Sequence, residues 1–208
     1  ELPDPDTFGS LVDLVKNGVV AESTVDTAVS HVLAAKFLAG LFEHPFADPD
    51  EAERVQNTPE HQAVALEAAE KAIVLLENRN NTLPLDRSKI HTLAVIGPDA
   101  KGLHLGGYAG DPGRGVDVLT GITTAAGSGI KVLYSEGVRI TETPPNWSQD
   151  QVTFGDPVKN RQRIQDAIAV ARQADAIVLV VGTNESTSRE AYSDSHLGDV
   201  ADLTLMSQ

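Results

Sequence analysis

The chain has 208 residues, of which 41% are hydrophobic and 22% are charged, a composition typical of globular proteins rather than collagen-like or disordered ones. Its 16 Lys and Arg against 30 Asp and Glu give a formal net charge of −14, which argues against nucleic acid and anionic membrane surfaces as partners. The chain has no cysteine, so disulfides, thiolate metal sites and thiol nucleophiles are excluded. No apolar run approaches the ~18 residues of a membrane span.

The amino-terminal segment predicts two helices. Ser10 is a candidate N-cap for the first, which Gly18 would end. Ser23 and Asp26 form a weak variant of a capping box and predict the start of the second, which keeps a helical apolar period to Leu41.

Residues 43–53 predict a connector between domains, because prolines and acidic residues interrupt the apolar pattern there. The run Thr58-Pro59-Glu60 then predicts a helix start, with a capping hydroxyl, proline in the first turn and an acidic residue near the amino end. That helix is predicted to run toward Leu76.

The second half of the chain alternates between strand and helix patterns. Apolar runs at residues 92–96, 131–135 and 176–181 predict strands, and residues 117–126 and 160–174 predict helices between them. This alternation predicts a parallel sheet, and the continuous apolar character of the strands predicts that both its faces are covered. Functional side chains are then expected beyond the carboxyl ends of the strands.

A glycine-rich segment follows the first predicted strand, at residues 97–115. Its spacing fits neither G-x-G-x-x-G nor G-x-x-x-x-G-K-[ST], so a flavodoxin-like nucleotide binder has little support. Two interpretations stay open. In the first, the glycines form tight turns and Tyr108 caps the sheet. In the second, the glycines let the backbone approach a ligand, and Tyr108 forms an aromatic wall of that site.

The loop at residues 182–202 carries many carboxylates. A carboxylate with a raised pKa can act as a general acid, whereas the simpler interpretation is a solvated acidic loop. His196 with Asp194 and Asp199 would make only a poor metal site. The loop serines lack the G-x-S-x-G pattern of serine hydrolases: Ser186, Ser188 and Ser193.

Several motifs, in order along most of the chain, resemble glycoside hydrolase family 3. They begin with Glu1-Leu2-Pro3 and the helical stretch at residues 9–42, and continue with the run ALEAAEKAIVLLEN at residues 65–78 and the LPL at 83–85. The later motifs are AVIGP at 94–98, GGYAG at 106–110 and residues 174–182. The chain is similar to that family from end to end.

The resemblance implies an α/β fold in three segments. Residues 1–57 would be the helical end of a (β/α)₈-like barrel with a connector, residues 58–90 a linker helix with its connector, and residues 91–208 the first part of an αβα sandwich with a mainly parallel sheet. Because residue 1 is Glu, and because the chain stops after an apolar run, we expect it to be a piece of a longer protein.

The resemblance also implies the catalytic residues. The family's acid/base is a Glu on a sandwich-domain loop, which corresponds to Glu190, with Glu185 as the alternative. Tyr108 would line an outer sugar subsite and Asp199 would contact substrate, although Val200 stands where the family often has Arg. The family's nucleophilic Asp has no match in this chain.

The function implied is retaining hydrolysis of terminal β-D-glucosyl residues from β-glucosides and short oligosaccharides, without metal or cofactor. The partner would be the barrel domain of the same enzyme, with no nucleic acid or membrane. β-Xylosidase activity, or a non-catalytic carbohydrate-binding fragment, are the alternatives. Many family members act outside the cytoplasm, so the resemblance implies a secreted or periplasmic location.

Overall fold

The computed structural model describes residues 5–106, 108–110, 113–143, 151–190, 198–201, 203–205 and 208. The chain divides into two compact units, residues 1–76 and 77–208. The three-part division at residues 57 and 90 remains a prediction.

The first unit is helical. Its helices are α1 (Leu11–Lys16), α2 (Glu22–Leu38), α3 (Pro49–Val55) and α4 (Pro59–Ala72). None of its side chains whose exposure is described is buried, and Leu38 and Phe46 are each 91% exposed. Helices of this length draw most of their stability from tertiary packing, and the described residues of this unit supply little of it to the apolar side chains. That these helices close a barrel remains a prediction.

The helix starts in this unit were predicted with mixed success. Thr58 caps α4 by accepting a hydrogen bond from the His61 amide at 3.4 Å, which confirms that prediction. The predicted cap of α1 is wrong, because Ser10 has helical backbone angles and its side chain makes no capping bond. The predicted capping box of α2 is also wrong, since Ala21 holds the cap position and Ser23 already lies inside the helix.

Two boundaries also differ from the prediction. Part of the predicted connector at 43–53 is helical, because Asp48 accepts a hydrogen bond from the Asp50 amide and so caps α3. The helix α4 ends at Ala72 rather than near Leu76, since Ile73 takes an extended backbone conformation that suits a β-branched residue.

The second unit is built on a three-stranded parallel sheet. Its strands are β1 (Thr92–Ile96), β2 (Lys131–Ser135) and β3 (Ala176–Leu179), in the order β2-β1-β3. In the register of the sheet, Ala94 lies between Leu133 and Ile177. The predicted α/β class and parallel sheet are confirmed, although β3 ends two residues before the predicted residue 181.

Two helices connect these strands: α5 (Val118–Ala126) and α6 (Pro157–Ala171). Asp117 caps α5 by accepting from the Thr120 amide at 2.7 Å, and Asp156 caps α6 by accepting from the Val158 amide at 2.7 Å. Because Asp156 sets the start, α6 begins and ends three residues earlier than the predicted 160–174.

Burial differs between the strands. Ala94 and Val95 of β1 are fully buried, and Ala94 joins Ile96 and Ala167 of α6 in a small apolar core. On β3, however, Ile177 and Leu179 are 51% and 65% exposed. The prediction that both sheet faces are covered is therefore wrong for β3, because α6 packs on β1 and β2 and the described residues leave one face of the edge strand open.

Among the described helices, none combines the length and the apolar character that crossing a membrane requires.

Candidate active site

The candidate site lies where the chain leaves β1 and β3 at the carboxyl edge of the sheet. Gly97 follows β1 with a φ of +144°, and a Cβ at this position would lie 1.8 Å from the Val180 carbonyl oxygen. The Gly97 amide donates to the Ser135 carbonyl at 3.1 Å, and the Val180 amide donates to the Ile96 carbonyl at 2.7 Å. Only glycine allows this close approach, which starts the glycine-rich loop (97–117) and the acid loop (180–190) side by side.

The acid loop is anchored by a tight turn around Asn184. The Asn184 carbonyl accepts from the Thr187 and Ser188 amides at 3.0 and 2.9 Å, and its side-chain oxygen accepts from the Ser186 amide at 3.1 Å. Ser186 and Thr187 are fully buried. The interpretation of this stretch as a solvated acidic loop is therefore wrong for the turn at residues 184–187, and Ser186 serves that turn.

The turn presents Glu190 at the surface. Tyr108 of the glycine-rich loop donates its hydroxyl hydrogen bond to Glu190 Oε2 at 2.9 Å. This bond and the neighbouring negative charge raise the pKa of the Tyr108 phenol above its ordinary value. Tyr108 is 82% exposed, so it does not cap the sheet. The pair instead places a carboxylate and an aromatic ring together at the surface of this unit.

Glu185 takes part in a different contact of the same loop. Its Oε2 lies 3.2 Å from His104 Nδ1, and the other ring nitrogen of His104 lies 3.7 Å from Asp99 Oδ1. The Asp99 and Glu185 side chains are only 12% and 13% exposed. Burial raises the pKa of Asp99, while the charge of His104 opposes that rise and the charge of Glu185 adds to it. Glu185 is thus engaged by an imidazole within the fold, whereas Glu190 lies at the surface.

Asp199 lies beside the acid loop through its backbone. Its amide donates to the Arg189 carbonyl at 2.9 Å, and Asp199 has a left-handed φ of +48°. Arg189 is buried, and Val200 is 38% exposed. The structure therefore brings Asp199 next to the residue that precedes Glu190 in sequence.

A polar cavity of about 380 Å³ opens beside the His104 cluster. Across it, Arg139 Nε donates to Glu136 at 2.8 Å, and Arg163 lies 3.5 Å from Glu142. These ion pairs balance charge among the cavity walls. In the described ranges, no group of three or more His, Cys, Asp or Glu side chains is arranged to hold a metal ion.

Two site residues escaped sequence reasoning: Asp99 and His104. A signal was present, since Asp99 follows directly on the Gly-Pro at the end of a strand and His104 lies inside the glycine-rich segment. The candidate residues His196, Asp194 and Ser193 lie outside the described residues, as do Gly107 and the Glu1–Pro3 motif.

Fold and site together define an α/β unit that holds a carboxylate and a phenol side by side at the carboxyl edge of its parallel sheet. Residues 73–208 match the family model described as the glycosyl hydrolase family 3 C-terminal domain. The chain belongs to glycosyl hydrolase family 3, as its resemblance predicted.

Curated relatives of this chain include a β-xylosidase and a β-glucosidase. A β-xylosidase of Formosa agariphila is 37% identical over 94% of this chain and 25% of its own length. A periplasmic β-glucosidase of Salmonella typhimurium is 36% identical over 90% of this chain and 26% of its own length. The present chain therefore spans about a quarter of the length of these relatives.

Solved structures that are similar to this chain include β-glucosidases. A β-glucosidase from Erythrobacter marinus is 40% identical, with a TM-score of 0.86 over 95% of this chain and 27% of that one. A β-glucosidase from Listeria innocua in complex with glucose is 27% identical, with a TM-score of 0.62 over 85% of this chain and 22% of that one.

Proposed function

We propose that this chain supplies the acid/base half of a retaining β-glycosidase that removes terminal β-D-glucosyl residues from β-glucosides and short oligosaccharides. The observation that carries the proposal is the exposed Glu190 carboxylate, held by the Tyr108 hydroxyl at the carboxyl edge of a parallel sheet. Family membership and β-glucosidases among the relatives support the same activity.

Each residue has a part in this proposal. Glu190 protonates the leaving glycosidic oxygen and later takes a proton from water, as the acid/base of a retaining enzyme does. The Tyr108 hydroxyl fixes the carboxylate, and its exposed ring offers a surface on which a sugar can pack. We propose that Asp199, whose amide donates to the carbonyl of Arg189, also contacts the substrate.

The nucleophile has to come from elsewhere in the enzyme. In retaining glycosidases the two carboxyl groups lie roughly 5–5.5 Å apart, and the second one forms a covalent glycosyl intermediate. We propose that a barrel domain of the same protein supplies it, since the relatives are about four times as long as this chain. The barrel is then the partner of this unit, and the ligand is a small β-linked glycoside that needs no metal or organic cofactor.

One alternative activity carries specific support. β-Xylosidase activity is favoured by the Formosa agariphila relative, whose identity to this chain is similar to that of the Salmonella β-glucosidase. A secreted or periplasmic location is supported by the name of the Salmonella relative. A non-catalytic carbohydrate-binding role is the other alternative, because a carboxylate beside an exposed aromatic ring can also bind a sugar.

The test is Glu190→Ala in the longer enzyme, with Glu185→Ala as the matched variant from the same loop. General-acid assistance contributes roughly 10²–10⁴-fold, so Glu190→Ala should lose that much kcat/KM on glucosides with poor leaving groups. Activated aryl glucosides should lose much less in the glycosylation step, because they need no protonation. Added azide should restore their turnover, because a small anion attacks the glycosyl intermediate without a general base.

Glu185→Ala should show no azide rescue, because its carboxylate faces His104 rather than the surface. Azide rescue of Glu185→Ala together with near-normal activity of Glu190→Ala would transfer the acid/base role to Glu185. If neither variant depends on the leaving group, the acid lies outside this loop. Parallel assays on nitrophenyl β-glucoside and β-xyloside decide between the two sugars.

A further inference from the structure

We propose that His104 is a positioning residue for the acid/base: its imidazole, held between Asp99 and Glu185, ties the glycine-rich loop to the acid loop and so sets Glu190 against Tyr108. This inference rests on the proposed function of Glu190. It adds a residue on which the proposed site depends and which none of the motifs indicated.

The two loops contact each other twice. The inner contact joins His104 to Glu185 at 3.2 Å, and the outer contact joins Tyr108 to Glu190 at 2.9 Å. In sequence the outer partners follow the inner ones by four and five residues. A segment of that length can reach over more than 10 Å when extended, so the inner contact narrows where the outer partners can meet, together with the Asn184 turn and the Asp199–Arg189 backbone bond.

The inner contact is the sheltered one. The His104 side chain is 27% exposed, while Tyr108 is 82% exposed. Charge interactions among sheltered groups are screened less by salt and water than those at the surface. The cluster around His104 therefore holds the loops, and the exposed outer pair depends on it for its geometry.

The buried carboxyl group of Asp99 favours an imidazole at position 104. Its Oδ2 atom is buried without a hydrogen-bond partner in the described part of the chain, and a Cβ on Gly182 would come within 3.0 Å of it. The carboxyl group is thus wedged against the chain that leaves β3. His104 Nε2, 3.7 Å from Asp99 Oδ1, offers it a positive charge when the ring is protonated. One ring therefore bridges the ends of β1 and β3.

The cluster also lies on the wall of the polar cavity, with Lys101, Glu136, Arg139 and Glu142 on the other walls. Of these, Arg139 pairs with Glu136, and Glu142 pairs with Arg163, so the Arg139 guanidinium does not replace His104 between its two carboxylates. Removing the ring would leave two sheltered carboxylates facing one another, and their repulsion would push the acid loop away from β1.

The test uses His104→Ala in the longer enzyme, with His91→Ala as the matched control. His91 lies at the opposite, amino end of β1 and its side chain is 81% exposed. A misplacement of about 1 Å can cost roughly 10²-fold in rate. We expect His104→Ala to lose roughly 10–100-fold in kcat/KM on alkyl β-glucosides and less than about threefold on dinitrophenyl β-glucoside. Azide should rescue nothing, because Glu190 is still present.

The dependence on leaving group separates positioning from a general loss of structure. A purely structural role would lower kcat/KM by the same factor for every substrate, and that result would overturn the inference. So would unchanged activity of His104→Ala across the series. His104→Gln, which retains an N–H donor for Glu185, should recover part of the loss on poor leaving groups.

Two further measurements complete the test. If His104→Ala fails to fold, Glu185→Gln decides, since it keeps an acceptor for His104 but removes the charge. A loss that is confined to poor leaving groups and is not rescued by azide supports the inference, whereas a uniform loss, no loss or azide rescue overturns it. If Glu190→Ala itself shows no leaving-group dependence, the proposed function fails. If Glu190→Ala shows it and His104→Ala does not, only the present inference fails.

Discussion

The crossing of the chain at Gly97 makes replacement of that glycine the most informative perturbation of this fold. In Gly97→Ala the added carbon would lie 1.8 Å from the Val180 carbonyl oxygen, and real Cβ atoms essentially never come within 3.0 Å of such an atom, so the two segments would have to separate by about 1.2 Å. That shift would break the hydrogen bond from the Val180 amide to the Ile96 carbonyl, now 2.7 Å long.

The energetic cost follows from three contributions. Overpacking of this kind costs about 1–3 kcal/mol, a φ of +144° strains a side-chain-bearing residue by about 1–3 kcal/mol, and the lost hydrogen bond contributes about 1 kcal/mol. We therefore expect a loss of at least about 3 kcal/mol, against the 5–15 kcal/mol by which whole domains are typically stable. The loss should fall mainly on the carboxyl edge of the sheet.

Hydrogen exchange followed by mass spectrometry measures this loss of stability peptide by peptide. A loss of 1.4 kcal/mol corresponds to about a tenfold change in the equilibrium constant for local opening. Peptides that cover β1 and β3 should therefore exchange roughly 10²-fold faster in Gly97→Ala. Gly129→Ala is the matched control, since no atom lies within 4 Å of its added carbon and its φ is not positive. Exchange of the β1 and β3 peptides within about threefold of the unmodified protein would refute the reasoning.

The remaining predictions concern activity and acid stability. Residues 1–208 alone should show no turnover of nitrophenyl β-glucosides that a barrel-containing protein cleaves, and clear turnover would mean that a nucleophile lies within this chain. Hydrogen bonds from Thr120, and then from the Gly102 amide, lower the pKa of Asp117 from 3.8 to about 2. Because the folded-state pKa of Asp117 is lowered, its ionised carboxylate stabilises the fold. That contribution to stability is complete above about pH 3.8 and is lost as the pH falls toward 2. Asp117→Asn should therefore lose less thermal stability between pH 5 and pH 2 than the unmodified protein, and an equal loss in both would contradict the assignment.

The sequence alone was enough for the elements whose signals are local. The bounds of β1 and β2 followed from their apolar runs, and Thr58 followed from its capping pattern. The family followed from motifs in order along the chain, including those around Tyr108 and in the acid loop. These signals need only neighbouring residues, so no tertiary information was required to interpret them.

Other features depended on distant parts of the chain. The sequence could not show that Gly97 passes against Val180 or that His104 lies between Asp99 and Glu185, because each contact joins segments that only the parallel sheet brings together. The turn from Asn184 to Thr187 is local, but its burial depends on the rest of the fold. The same limit explains the exposed face of β3, whose apolar run is that of a fully covered strand. Glu185 and Glu190 are five residues apart in one acidic stretch, and only the fold gives one of them an imidazole and leaves the other, beside the Tyr108 hydroxyl, at the surface.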